Sequence, residues 1–314
     1  MVHVRSLEKK CLMNKHNTGL DEDAPKSRRT CQPLDLKEFV VSAIDLVMTR
    51  QLDWAKRNGL TPGSNGYLPS VRENLFAPLN AETEAEFGAG AGNELSDRPG
   101  KPAKMRAVHS SSALVCNVFD HWRRPDPGAI SRALGIPHVP AAIYFEAQLP
   151  TGLRGTPPTL DLLVLGSGDL AWGIESKFTE PFQANEKRTT FAQSYFENET
   201  GLWAKLGLPR CQALADQLKD GRFNFRHLDA PQLLKHSLGL RRKYPRGRLL
   251  LLWYDVDAPE TKAFADEIQA FAQSVDEEIG FRAITYQQVF AFLATEPSVA
   301  PAYVEYIRNR YFVV

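Results

Sequence analysis

Between residues 35 and 59 the apolar side chains Leu36, Phe39, Val40, Ile44, Val47 and Met48 recur every three or four positions, the period of a helix with one buried face. Asp35 is placed to cap its start and Gly59 to stop it. Residues 61–102 break the period. Gly, Pro, Asn and Glu accumulate there, including Gly88-Ala89-Gly90-Ala91-Gly92, which predicts a long irregular connection, either functional or mobile. His109-Ser110-Ser111-Ser112 then reads as the capped entry to a helix through Leu114, Val118 and Trp122, with a shorter helix over 127–134. Beyond it the pattern turns to strands at 143–149, 160–165 and 170–178, the last two joined as a hairpin by Gly166-Ser167-Gly168-Asp169. A mixed helical region over 186–243, an apolar strand at 248–256, an amphipathic helix at 259–277, a strand at 281–285 and terminal helices complete the pattern. Strands alternating with helices predict an α/β or α+β sandwich around a mixed sheet.

Composition narrows the function classes. The chain has 314 residues, 43% of them hydrophobic and 24% charged, which is enough to bury a sizeable core. Its 38 Lys and Arg against 37 Asp and Glu leave a formal charge of +1, so a charged partner must be met by a local patch. No apolar run approaches the roughly 20 residues that cross a bilayer. The start lacks an apolar secretory region, and a cytoplasmic location is expected. Residues 1–33 carry seven basic and four acidic side chains without a period, as a solvated arm would. Cys11, Cys31, Cys116 and Cys211 lie far apart, in the spacing of free thiols and not of a zinc site.

The chemistry concentrates where charges interrupt apolar strands: Tyr144-Phe145-Glu146, Pro158-Thr159-Leu160-Asp161 and Gly173-Ile174-Glu175-Ser176-Lys177-Phe178. Alternation puts Glu175 and Lys177 on one face of their strand. A turn centred on Gly168 sets Asp161 opposite Glu175 on that face, and a slip of one residue would not. Two carboxylates buried side by side repel unless a cation sits between them. Hard oxygen ligands suit Mg²⁺ or Mn²⁺, with the Ser176 carbonyl beside Glu175 as a further ligand. Such an ion polarises a phosphodiester, while Lys177 orients water or offsets charge on phosphorus.

These residues resemble the PD-(D/E)XK, or restriction-endonuclease-like, nuclease superfamily, with Asp161 as the first acid, Glu175 as the second and Lys177 as the lysine. The flanking text, Phe145-Glu146-Ala147-Gln148-Leu149-Pro150 and Glu175-Ser176-Lys177-Phe178-Thr179-Glu180, with Ser111-Ser112-Ala113-Leu114 and Asn117, resembles a bacterial restriction-endonuclease subgroup over roughly residues 90–255. The resemblance implies an α/β restriction-endonuclease-like core with a central mixed sheet, flanking helices and helical additions at both ends. It also implies Mg²⁺ on Asp161 and Glu175, a water-positioning Lys177, DNA as substrate, and restriction or another defence against foreign DNA. Glu146 and Glu94 rank behind these as a further ligand or a water holder. Two departures stand out: Leu160, not Pro, precedes Asp161, and Gln193-Ser194-Tyr195 lacks the Gln-x-x-x-Tyr spacing of the recombination-type branch.

Residues 230–254 contain no acid, and Arg241, Arg242, Lys243, Arg246 and Arg248 predict a surface that tracks phosphates. Residues 255–278 then carry eight acids and one lysine, so the basic run could equally pair with the acidic helix after it. Arg123 and Arg124 are weaker candidates for backbone contact. No phosphate-cradling Gly-x-x-x-x-Gly-Lys-Ser/Thr occurs. His109 beside Ser110 is explained by capping. His227 and His236 read as packing residues, as do Trp172, Trp203 and Trp253, though an exposed Trp203 could stack on a base. The expected organisation is an arm (1–33), a helical extension with its loop (34–89), the nuclease core (90–256) and a C-terminal α/β extension (257–314). Two cuts on opposite strands would call for a homodimer. A non-catalytic nucleic-acid-binding module, another metal-dependent phosphoesterase and a partner-binding protein remain as rival readings.

Overall fold

The computed structural model describes residues 41–90, 92–123, 127–183, 190–197, 201–275 and 277–312. The expected arm, the Asp35 cap, Cys11, Cys31 and Arg124 lie outside the described residues. Helix α1 (Ala43–Arg57) is capped by Ser42, whose hydroxyl accepts from the Asp45 amide, and ends before Gly59 at φ 70°. Its cap is therefore Ser42 and not Asp35. The stretch 61–102 is more ordered than its composition predicts. It holds a 3-10 turn at Arg72–Asn74 and helix α2 (Ala81–Ala89), which takes in Gly88 and Ala89. Buried polar side chains stitch it down: Asn74 donates to the Met105 and Ala107 carbonyls, and Asp120 accepts from the Asn80 amide and the Thr83 hydroxyl. Contacts this far apart in sequence leave no trace in the local pattern.

Helices α3 (Ser111–Phe119), capped by Ser110, and α4 (Gly128–Ala133) precede strands β1 (Ala142–Gln148), β2 (Thr159–Leu165) and β3 (Leu170–Lys177). A crossover through α5 (Ser194–Glu197), α6 (Pro209–Lys219) and α7 (Ala230–Lys243) leads to β4 (Arg246–Trp253). A second, through α8 (Pro259–Val275), leads to β5 (Arg282–Thr285), followed by α9 (Tyr286–Leu293), α10 (Pro301–Ile307) and a π-helical turn at Arg308–Phe312.

The strands form one mixed sheet in the order β1-β2-β3-β4-β5, antiparallel across β1, β2 and β3 and parallel from β3 to β5. This is the α/β sandwich that the alternation of strands and helices predicts. Trp172, Ile174 and Leu250 pack on one face with α3, α4, α9 and α10, while Leu163, Leu249 and Leu251 pack on the other with α6, α7 and α8. With both faces covered, all of β3 except its last residue is buried, which is why its sequence reads as a nearly unbroken apolar run. Two glycines let α7 close on the sheet. A Cβ at Gly239 would lie 2.6 Å from the Leu149 carbonyl oxygen, and one at Gly173 would lie 2.7 Å from a Leu160 methyl. This tight seating fixes the N-terminal half of α7 over the charged end of β3.

Candidate active site

Three acids stand in one row across three strands. The pairs Phe145↔Leu162 and Ala147↔Leu160 set Glu146 opposite Asp161, and Leu162↔Ile174 sets Asp161 opposite Glu175 in the next step of the register. Gly168 is the centre of the turn, with φ 66°. The β2–β3 ladder stops at Leu162↔Ile174, just before this row, while β1 and β2 stay paired through Gln148↔Thr159. The Ser176 amide donates to Asp161 Oδ2 at 2.7 Å, and Glu146 takes a left-handed backbone with φ 48°. For a residue with a Cβ that conformation costs about 1–2 kcal/mol, strain of the kind that gathers at functional sites.

Glu175 and Lys177 project together toward α7. Lys177 Nζ donates to Glu175 Oε1 at 2.6 Å and to Gln232 Oε1 at 3.0 Å. The other carboxylate oxygen, Glu175 Oε2, is buried without a hydrogen-bond donor, 3.3 Å from His236 Nδ1. Burial pushes the His236 pKa down to about 3, aided by Lys177, so the ring is neutral. Burial also raises the Glu175 carboxyl against the pull of Lys177, and raises Asp161, with the Glu175 charge adding to the effect. For Lys177 burial acts downward, but Glu175 and Asp161 outweigh it and lift the pKa, so the side chain remains an ammonium. It can therefore hold charge or a water but does not serve as a base.

Glu146 faces the same row from the edge strand. Burial first, then the charges of Asp161, Glu94 and Glu175, raise its pKa to about 8. Glu94 is buried and already engaged, accepting from Lys104 Nζ and from Ser112 Oγ, each at 2.9 Å. The folded Glu146 thus keeps its proton above the ordinary value of 4.5, and the stability this confers is lost as pH rises through about 8. The full shift would correspond to about 5 kcal/mol. Screening of an incompletely buried carboxyl reduces the expected effect to about 2 kcal/mol. In metal-free protein, Glu146→Gln is expected to melt like the wild type near pH 5 and a few degrees higher near pH 9. A melting difference that does not change with pH would contradict this environment for Glu146.

The basic residues divide. Lys243 lines a cavity of about 600 Å³ together with Glu146 and the exposed Tyr144. Arg241, Arg246 and Arg248 line another, of about 480 Å³, with Arg282. Arg246 pairs with Leu170 and Leu251 with Glu175, so Arg246 stands five residues, or roughly 17 Å, along the sheet from the acids. Arg241 donates to the Glu278 carbonyl, Arg242 donates to the Thr151 carbonyl at 3.3 Å, and Arg248 stacks over the Trp172 ring. Arg123 is held by Glu86 and packs over Phe145. Trp172, Trp203 and Trp253 are all buried, and Trp203 donates to the Leu234 carbonyl at 2.7 Å. His227 Nδ1 lies 2.7 Å from the Pro181 carbonyl.

Sequence reading missed Gln232 and took His236 only as a packing residue; His236 is buried, and the two reach Lys177 and Glu175 from one face of α7 at i, i+4 spacing. Two polar side chains one turn apart beside the buried Leu233, Leu234 and Leu238 were the available signal. Glu180 was missed as well. It accepts from the Phe178 and Thr179 amides, and its charge bears on Asp161, Glu175 and Lys177.

A mixed sheet sandwiched by helices, with acids and a lysine meeting at the end of a central strand, is the construction of a restriction-endonuclease-like protein. The chain belongs to the family described as Restriction Endonuclease associating with ARP, whose family model matches residues 28–312. No curated protein and no solved structure matches it. Membership brings a nuclease role and interaction with DNA. Among the described residues no helix is long and apolar enough to cross a membrane.

Proposed function

We propose that the chain is a metal-dependent endonuclease of the PD-(D/E)XK type, hydrolysing DNA phosphodiester bonds in restriction or another defence against foreign DNA. The observation that carries this reading is the buried Lys177–Glu175 pair directly beside Asp161, with Glu175 Oε2 left without a donor. Among the described residues no group of three or more His, Cys, Asp or Glu side chains is arranged to hold a metal ion. Two carboxylates with a backbone carbonyl still suit Mg²⁺, which keeps several waters and needs one or two carboxylates. Asp161, Glu175 and the Ser176 carbonyl would hold Mg²⁺ or Mn²⁺, which when bound neutralises the acids and polarises the phosphate.

The protein's own groups supply the remaining chemistry. Lys177, kept charged by its two acids and fixed by Gln232, orients the attacking water and offsets charge that builds on the phosphate oxygens. Glu146, opposite Asp161 in the same row, would add a further ligand or hold a water. Lys243, which lines one cavity with Glu146, would meet the phosphates there, and Arg241, Arg242, Arg246 and Arg248 would serve DNA that extends along the sheet. A homodimer would present one such site to each strand. Association with ARP, which the family's description carries, is proposed for this chain too.

The deciding experiment incubates supercoiled plasmid with the purified chain, with chelator and then with Mg²⁺ or Mn²⁺ restored, beside Glu175→Ala. Cleavage is expected only with metal and only in the wild type. Cutting that persists in chelator, or in Glu175→Ala, would overturn the assignment.

A further inference from the structure

At the start of α7 lies a cavity of about 440 Å³, lined by Leu228 and Pro231 among others, that the proposed chemistry does not use. Its walls carry four phenylalanines, Phe191, Phe196, Phe223 and Phe225. Phe191 and Phe196 meet edge to face with centroids 5.3 Å apart, and Phe223 and Phe225 meet at 5.0 Å. Phe223 remains exposed, although an apolar ring of that size is normally withdrawn from water when packing alone decides. Two amide side chains, Gln193 and Asn224, line the same space, each able to donate and to accept. Lysines stand at the rings: Lys219 Nζ lies 4.8 Å from the Phe196 centroid, and Lys235 Nζ lies 5.6 Å from that of Phe191.

Helix α7 joins this cavity to the acids. Pro231 lines the cavity, and its neighbour Gln232 holds Lys177 at 3.0 Å. Lys235 and His236 repeat the arrangement one turn later, Lys235 against Phe191 and His236 against Glu175. Adjacent stripes of one helix therefore face an aromatic cavity and a phosphodiester-cleaving row. A ligand spanning them needs a flat π surface, an edge that exchanges hydrogen bonds with amides, and a negative charge within reach of lysines. A nucleotide has all three.

We propose that this cavity receives a nucleobase of the DNA strand, swung out of its stack, while that strand's phosphate lies at Asp161 and Glu175. The identity of the ligand rests on the endonuclease reading above. Base stacking on aromatic side chains contributes enough to be read in binding, and extrusion costs least at a mismatched or single-stranded position. The cavity thus directs cleavage toward strands that offer an unpaired base.

The test measures fluorescence anisotropy of a short single-stranded DNA, and of the same backbone without bases, in chelator. The proteins are the wild type, Phe196→Ala and the surface variant Phe223→Ala. The wild type is expected to prefer the base-bearing strand by about tenfold to a hundredfold. Phe196→Ala loses most of that preference, and Phe223→Ala, at an exposed ring, loses a smaller part. Equal affinity of the wild type for both strands, failure to bind either, or an undiminished preference in both phenylalanine variants would overturn the proposal. Its failure is separable from that of the endonuclease reading. Metal-dependent plasmid cleavage without base preference removes the cavity's role alone, whereas base preference without cleavage keeps the cavity and removes the nuclease.

Discussion

Asp161→Asn is expected to lower plasmid cleavage by at least about a thousandfold, while the metal-free protein melts at the same temperature or a few degrees higher. Both effects have one origin. Asp161 is buried beside Glu175, and burial first and that neighbour second raise its pKa above the ordinary 3.8. A carboxyl raised in the folded state confers stability below its unfolded pKa and loses it as pH climbs through the folded value. At neutral pH the wild type therefore bears the cost of burying this carboxyl beside Glu175, and asparagine relieves it. The melting advantage should shrink toward pH 4, where both proteins carry a neutral side chain. Asparagine also preserves an oxygen for the Ser176 amide, now bonded at 2.7 Å. Asp161→Ala leaves that amide without its acceptor, and about 1–3 kcal/mol of stability should be lost. Paired plasmid assays and thermal melts on the two variants separate the roles. An asparagine variant that still cuts would refute the ligand role, and one that melts well below the wild type would mark the carboxylate as structural.

The row of acids was legible because its determinants are local. Period-two alternation sets the face of Glu175, and a glycine-centred turn sets the register, so the opposition of Asp161 and Glu175 follows from seventeen or so consecutive residues. The alternation of strands with helices likewise declared the α/β class. What escaped notice depends on contacts across the chain. Glycine-rich composition masked α2, which is held by Asp120 from about forty residues away. The basic run was visible as charge, but composition does not say which end of β4 carries Arg246 or that Lys243 and Glu146 line one cavity. Gln232 and His236 acquire meaning only when α7 seats on the sheet, and that seating rests on the two glycines that admit it.

Arg310 was silent in sequence for the same reason, and its replacement should have the largest effect on folding. The side chain is buried, with the guanidinium carbon 4.1 Å from the Trp54 ring centroid and 4.8 Å from that of Tyr311. It donates to the Asn74 carbonyl at 2.7 Å, to the Asn74 side-chain oxygen and to the Tyr306 hydroxyl at 2.6 Å, while Gln51 Nε2 donates to the Arg310 carbonyl at 3.0 Å. One guanidinium thus ties the π-helical turn to α1 and to the 3-10 turn at Arg72–Asn74, satisfying acceptors that no water reaches. Arg310→Met keeps much of the packing but leaves the buried Asn74 side-chain oxygen without its donor, the Asn74 carbonyl retaining Asn117 Nδ2 at 3.0 Å, and removes the cation from its rings. The expected loss is about 4 kcal/mol, or about 10 °C in melting temperature. Arg310→Lys should recover little of it, because one ammonium cannot reproduce a planar fork that bonds two oxygens of Asn74 while lying flat on Trp54. Neither substitution touches the acid row, so the folded fraction of each variant should retain metal-dependent cleavage at a temperature well below its transition. A melting temperature within a degree or two of the wild type for Arg310→Met would show that the C-terminal turn is not held by this contact.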